Sequence, residues 1–207
     1  MNLPPDLTES FPQLRGVHHT AFPTWKPRST VEFYRDGLGL RVPHAITAKG
    51  WGRAAGEHPD FLHFFFEAGD NSLIAFFYYV GTQPNPAFTA FRGQYLGLAR
   101  HTAWMAKDVD ELERWRTVIK RTGAKVTPVV RHETLSSIYF QDPNGYDLEI
   151  ACQVRPLQEI DVVDANLTID AMVDTFGDDN PDDRTIQDMW NKKAELVRRY
   201  MESAKPR

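Results

Sequence analysis

The tetrapeptide His19-Thr20-Ala21-Phe22 returns 82 residues later as His101-Thr102-Ala103-Trp104, and the same order of element types follows each copy. A chain that repeats itself in this way is two structural modules, so a fold must be found for one and then doubled. After the first copy, Ser29 or Thr30 is positioned to cap a helix whose apolar stripe is Val31, Phe33, Tyr34 and Leu38, ended by Gly37 and Gly39. After the second, Asp108 caps a helix carrying Val109, Leu112, Trp115, Val118 and Ile119, ended by Gly123. Alternating and β-branched segments predict strands at 40–42, 61–67 and 72–80 in the first module, and at 125–131, 135–141 and 146–152 in the second. The turns Gly69-Asp70-Asn71 and Asp142-Pro143-Asn144-Gly145 precede the last strand of each and align with an offset of 74. The net eight extra residues of the first module fall in 43–60, whose Gly50, Gly52 and Gly56 predict a long loop or lid.

The expected fold class is therefore α+β: two βαβββ modules, at about 14–82 and 97–152, forming one domain over 14–152 around a half-barrel, metal-binding cavity. Residues 153–207 make a C-terminal helical extension. It opens on a connector, 153–165, followed by a short helix and then a stronger one bearing Ile186, Met189, Trp190, Ala194, Val197, Tyr200 and Met201 on one face.

Composition removes several function classes. With 24 basic and 28 acidic residues the formal charge is −4, and no basic block offers a footprint for a phosphate backbone, so no nucleic-acid partner is expected. The longest apolar run, Leu73 to Val80, falls far short of the roughly 20 residues that span a bilayer, and Met1 to Ser10 has no signal-peptide core. Cys152 is the sole cysteine, so there is neither an internal disulfide nor a zinc–thiolate cluster, and a cytoplasmic location is expected.

Two repeat histidines open equivalent strands. Because alternate strand residues share a face, Val17, His19 and Ala21 point one way, as do His101, Ala103 and Met105, while His18 points opposite to His19. If the modules pair with pseudo-twofold symmetry, His19 and His101 meet across the cavity. Glu149 lies in an otherwise apolar strand, where a carboxylate calls for a cation. Two imidazoles and a carboxylate form the facial triad that suits iron(II), favoured here, or manganese(II), and leaves positions open for substrate and dioxygen. The 74 offset places Ala75 opposite Glu149, so the first module supplies no fourth ligand.

The segment Gly16-Val17-His18-His19-Thr20-Ala21-Phe22, the following Phe33-Tyr34 and Gly37-Leu38-Gly39-Leu40, and the closing Tyr139-Phe140-Gln141-Asp142-Pro143-Asn144-Gly145-Tyr146-Asp147-Leu148-Glu149 together resemble the vicinal oxygen chelate superfamily. That superfamily includes glyoxalase I, bleomycin-resistance proteins, epimerases and type I extradiol dioxygenases. The resemblance covers about 14–152 and implies metal binding by His19, His101 and Glu149, and a homodimer. It also implies a substrate- and oxygen-contacting tyrosine ten residues before the ligand glutamate, here Tyr139. Ring-cleaving members place an acid–base histidine at the start of the first module's last strand, where this chain has Ser72 or Leu73. His63, which the offset aligns with Ser137 on the face of Tyr139, is the substitute. His44, His58 and His132 lie in or beside loops, within possible reach of a substrate, and are not counted among the site residues. The aromatic residues Phe64 to Phe66 and Phe76 to Tyr79 imply a flat-walled apolar cavity for a small aromatic substrate. The expected activity is extradiol cleavage of a catecholic ring with dioxygen. The alternatives are a glyoxalase-like lyase or epimerase using the metal as Lewis acid, and a metal-free protein that sequesters an aromatic ligand.

Overall fold

The computed structural model describes residues 16–50, 57–88, 95–178 and 183–203, and the chain divides into two compact units, one ending at Val154 and one beginning at Arg155. The first unit holds the doubled module. Strand β1 (His19–Pro23) leads into helix α1 (Pro27–Val31), followed by β2 (His44–Ala48), β3 (Phe61–Glu67) and β4 (Leu73–Tyr79). After a short helix α2 (Tyr95–Leu98) the series repeats as β5 (Thr102–Met105), α3 (Val109–Arg121), β6 (Val130–Arg131), β7 (Leu135–Gln141) and β8 (Asp147–Gln153).

Each module forms its own four-stranded sheet, in the orders β1-β4-β3-β2 and β5-β8-β7-β6, with the first and last strands of each parallel and the rest antiparallel. The registers carry the 74-residue offset through to the pairs: Phe65 faces Ala75 where Tyr139 faces Glu149, and His63 faces Phe77 where Ser137 faces Ala151.

Three local expectations change. The first helix starts at Pro27 after an N-cap at Lys26, not at Ser29 or Thr30, because the fixed φ of proline suits the first helical turn, where its missing N–H is no loss. Thr30 is instead buried inside the helix, donating from Oγ1 to the Lys26 carbonyl at 2.9 Å. The helix then widens into a π-helical stretch, Glu32–Gly37, closed by a bond from Leu38 N to Phe33 O at 2.8 Å. The second strand of the first module is 44–48 rather than 40–42, so part of the expected loop is sheet; the expected strand 125–131 survives as a bridge at Val126 and the two residues of β6. Gly52 and Gly56 of the expected loop lie outside the described residues. Where Asp108 was expected to cap α3, its side chain accepts from Glu111 N at 2.9 Å.

One core joins the modules. Phe33, Tyr34, Leu38, Phe66, Ile74 and Phe76 of the first pack in a single cluster with Leu112, Ile119, Ile138, Phe140, Leu148 and Ile150 of the second. The closing turn of the second module is also tied to the first. Buried Asp142 accepts from Tyr34 Oη at 3.0 Å and from the backbone of Asn144 and Tyr146 at 2.9 Å each. Thr24 Oγ1 donates to Asn144 Oδ1 at 2.8 Å, and Tyr146 Oη donates to Pro23 O at 2.7 Å. Burial is the main cause that raises the Asp142 carboxyl above its ordinary value, and these donors oppose it.

The second unit contains α4 (Glu159–Phe176) and α5 (Ile186–Ser203). The expected connector, 153–165, is shorter than predicted. A capping box between Gln158 and Asp161 starts α4 within it, and Arg155 grips Asp161 through two bonds of 2.6 and 2.7 Å. The two helices are bridged by Lys192–Asp174 at 3.2 Å and Lys193–Asp164 at 2.8 Å. Among the described residues no helix is long and apolar enough to cross a membrane.

Candidate functional site

Strand alternation decides which side chains the shared core consumes. In β3 and β4, Phe66, Ile74 and Phe76 turn into it; in β7 and β8, Ile138, Phe140, Leu148 and Ile150 do the same. The opposite face of the first sheet therefore carries His19, His63, Phe65, Ala75 and Phe77, and that of the second carries His101, Tyr139 and Glu149. Since both sheets press their inner faces on one core, these two outer faces point away from each other.

The second sheet brings two expected ligands together. His101 Nε2 lies 2.8 Å from Glu149 Oε2, and Glu149 is buried, 6% exposed, beneath it. The His101 Nδ1 lies 2.8 Å from the Leu98 carbonyl, an acceptor only, so Nδ1 carries a hydrogen and Nε2 is the nitrogen that faces the carboxylate. Two electron-rich atoms at that distance need a proton or a cation between them, and a ligating imidazole is typically oriented by just such a backbone carbonyl at its other nitrogen. In chemical terms this donor pair fits a divalent metal.

Tyr139 stands directly across from Glu149 in the β7–β8 register. Burial, and then the neighbouring Glu149 carboxylate, raise its hydroxyl above the ordinary value, so it stays protonated as a donor. His132, which sequence reasoning left outside the site residues as no more than a loop histidine within reach of substrate, lies with Nε2 2.9 Å from the Tyr139 hydroxyl. The signal for it was the hairpin: His132 N bonds Leu135 O at 2.8 Å, which folds residue 132 back alongside the strand bearing Tyr139. A cavity of about 700 Å³ opens over this face, lined by His101, Thr127, His132 and Tyr139 among others.

His19 is elsewhere. It sits on the first sheet with Nδ1 2.8 Å from His18 Nδ1, its ring 6.1 Å from that of His63 and 5.6 Å from Phe65. Among the described residues no three His, Cys, Asp or Glu side chains converge as a metal-holding group. The expectation that His19 meets His101 across the cavity of one chain thus differs from the structure, because the modules join through their helix-bearing faces and leave the histidine faces outward. His63 is buried, stacked on Phe77 at 3.6 Å, with Nδ1 3.2 Å from the Phe76 carbonyl, so Nε2 is its free acceptor. Burial chiefly, with nearby His19 and His44, lowers its pKa and keeps the ring neutral. Ala75, fully buried opposite Phe65, is the non-ligand expected there. A second cavity of about 500 Å³ on this sheet is lined by Ala21, Trp25, Phe77, Tyr79 and Phe88, among others.

A family model described as the Glyoxalase/Bleomycin resistance protein/Dioxygenase superfamily matches residues 16–150. Solved structures similar to the chain include a glyoxylase/bleomycin resistance protein/dioxygenase domain from Frankia sp. EAN1pec, 17% identical over 68% of this chain and 99% of its own, with a TM-score of 0.49. Lactoylglutathione lyase from Agrobacterium tumefaciens is 20% identical over 68% of this chain and 95% of its own, TM-score 0.45. A fosfomycin resistance protein from Listeria monocytogenes is 15% identical over 69% and 96%, TM-score 0.45. No curated protein matches the chain.

Proposed function

Since the chain belongs to the Glyoxalase/Bleomycin resistance protein/Dioxygenase superfamily, we propose that it is a metal-dependent, extradiol-type dioxygenase that opens a catecholic ring and works as a homodimer. One observation carries this reading: His101, Tyr139 and His132 line one aromatic-sized cavity with Glu149 2.8 Å from His101, while on the first sheet a neutral residue, Ala75, takes the register place that Glu149 has on the second.

The outward faces support the dimer. They leave Val17 and Ile46 exposed beside His19 and His63, and Met105, 77% exposed, at the far end of the strand face that begins with His101. Apolar side chains around half a ligand set ask for cover, and a twofold pair of chains would lay the first sheet of one copy over the second sheet of the other. His101 and Glu149 of one copy and His19 of its partner would then hold the ion, iron(II) in preference to manganese(II). Such an ion, when bound, would supply Lewis-acid and redox chemistry to a vicinal-diol substrate and dioxygen.

The chain's own residues do the rest. His63, neutral and with Nε2 free, takes the proton of a substrate hydroxyl. Tyr139 donates to a substrate oxygen, and His132 at 2.9 Å fixes where that hydroxyl points. Phe65 and Phe77 wall the site and keep water from it.

Mixing subunits tests this. Each of the two inactive variants His19→Ala and Glu149→Gln would retain one half of the donor set. In random heterodimers one of two sites is whole, so an equal mixture, dissociated and reassociated, regains about a quarter of the wild-type oxygen uptake on catechol. Complementation near zero, with mixed dimers verified by mass, would refute the shared site; full activity of either variant alone would sink the ligand assignment.

A further inference from the structure

The cavity over the second sheet holds a charge that the reaction does not use. The turn that ends α3 at Arg121 runs through Gly123 to a segment lying along β7, where Val126 bridges Phe140 and Thr127 N donates to Tyr139 O at 3.0 Å. Val126 packs on the core, so Lys125 and Thr127 on either side of it turn to the outer face, and both line the cavity. Lys125 stands beside Gln141, one side-chain pair along the strand from Tyr139. That is a step of about 7 Å, within the combined reach of a lysine and a substituted ring.

The other charged groups on the wall are accounted for. Asp147 accepts from Gln141 Nε2 at 2.8 Å, His101 faces Glu149, and His132 holds Tyr139. Lys125 has no hydrogen-bond or ion-pair partner among the described residues. Lys125 is exposed and carries its charge at the rim of a largely apolar cavity, where an anionic group on a molecule entering that cavity comes within its reach. Resting on the dioxygenase reading above, we propose that the substrate is an aromatic diol bearing an anionic substituent, a carboxylate, and that Lys125 is the specificity-determining residue that binds it. The diol end lies at His101 and Glu149 and the carboxylate end at Lys125, which orders the ring along β7. The cavity of about 700 Å³ leaves room for a side chain between ring and carboxylate.

The test is calorimetric binding to iron(II)-loaded protein under nitrogen, with 3,4-dihydroxybenzoate, catechol and benzoate as probes. The dihydroxybenzoate is expected to bind about tenfold more tightly than catechol, the increment of one charge-assisted contact. Lys125→Met is expected to erase that difference, Lys125→Arg to keep it, and rising salt to narrow it. Two diols of equal affinity, or a preference that persists in Lys125→Met, would overturn the assignment and leave the dioxygenase reading standing. That second outcome would mean that Lys125 only guards the sheet edge against pairing. Lys125-dependent binding of benzoate without any binding of the diols would keep the anion subsite and remove the ring-cleavage reading. Binding of none of the three would remove both.

Discussion

Replacing Tyr34 by Phe deletes one oxygen from the clamp between the modules and nothing else. Tyr34 is wholly buried, stacked against Phe66 at 5.2 Å, and its hydroxyl donates to Asp142 Oδ2 at 3.0 Å. Phe fills the same volume, so no cavity term enters, and the loss is that of a hydrogen bond to a buried carboxylate, about 1.5–3 kcal/mol. Asp142 keeps its bonds from the backbone of Asn144 and Tyr146, and Asn144 Nδ2 still donates to Oδ2 at 2.9 Å, so the lower half of that range is expected. Urea unfolding followed by near-ultraviolet dichroism reads this as a lower midpoint at unchanged slope, and thermal unfolding as a midpoint about 3–9 °C lower. The pH dependence has a defined sign. Burial raises the folded pKa of Asp142, so its ionisation costs stability that is lost as pH rises from the unfolded value, about 3.9, through the folded one. The Tyr34 hydroxyl favours the carboxylate, and without it the folded pKa climbs further. The penalty of Tyr34→Phe is therefore larger at pH 7 than at pH 4. A change under about 0.5 kcal/mol at pH 7, or a penalty that grows on acidification, would refute the clamp.

Four further outcomes follow from the same geometry. Glu149→Gln should lower bound iron or manganese at least about 100-fold in affinity, read as metal equivalents per chain after anaerobic loading, and abolish oxygen uptake; full metal retention would remove Glu149 from the ligand set. Oxygen uptake per catechol (kcat/KM) should fall on the acid side with a midpoint below 6.5, since the lowered pKa of His63 keeps it a neutral base down to that range, and a midpoint above 6.5 would point to another base. Gly37→Ala would drive a Cβ to 2.7 Å from Thr122 Cγ2, jamming the end of the first helix against the end of α3, and should cost about 1–3 kcal/mol by denaturant titration. Arg155→Ala removes the main cause that holds Asp161 down at about 2, so its destabilising effect should be full above about pH 4 and vanish as the pH falls toward 2, followed by helical dichroism; an effect constant across that window would show that the pair does not stabilise α4.

Elements were legible where one physical rule dominated. The offset of 74 between the closing turns became the actual registers, with Ala75 in the place of Glu149, because hairpin pairing is set by turn and alternation together. Asp108 signalled α3 because a side-chain acceptor before an apolar stripe has one use there. Strand β2 was hidden because His44-Ala45-Ile46-Thr47-Ala48 is exposed at all but its last residue and shows no buried alternation, and its pairing with β3 comes from the sheet, not from its own pattern. Helix α4 was under-read because Ile160, Val162, Ile169 and Val173 are scattered and exposed, so no single stripe announced where it began.

The candidate site shows the same limit at a higher level. Period-two alternation correctly grouped His19 with Ala21 and placed Tyr139 on the face of Glu149, since that is local geometry. It is silent on which face of each sheet becomes the core, because both faces of β3 and β4 are aromatic: Phe64, Phe66 and Phe76 on one side, Phe65 and Phe77 on the other. The choice falls to the helices. Phe33 and Tyr34 of the first module reach Phe140 and Trp104 of the second, and the Asp142 turn locks that contact. Once the helix-bearing faces are spent on one another, His19 and the His101–Glu149 pair must look outward. The three residues that the sequence grouped are then divided between two sheets of the fold, and under the function proposed above their convergence would pass from folding to association.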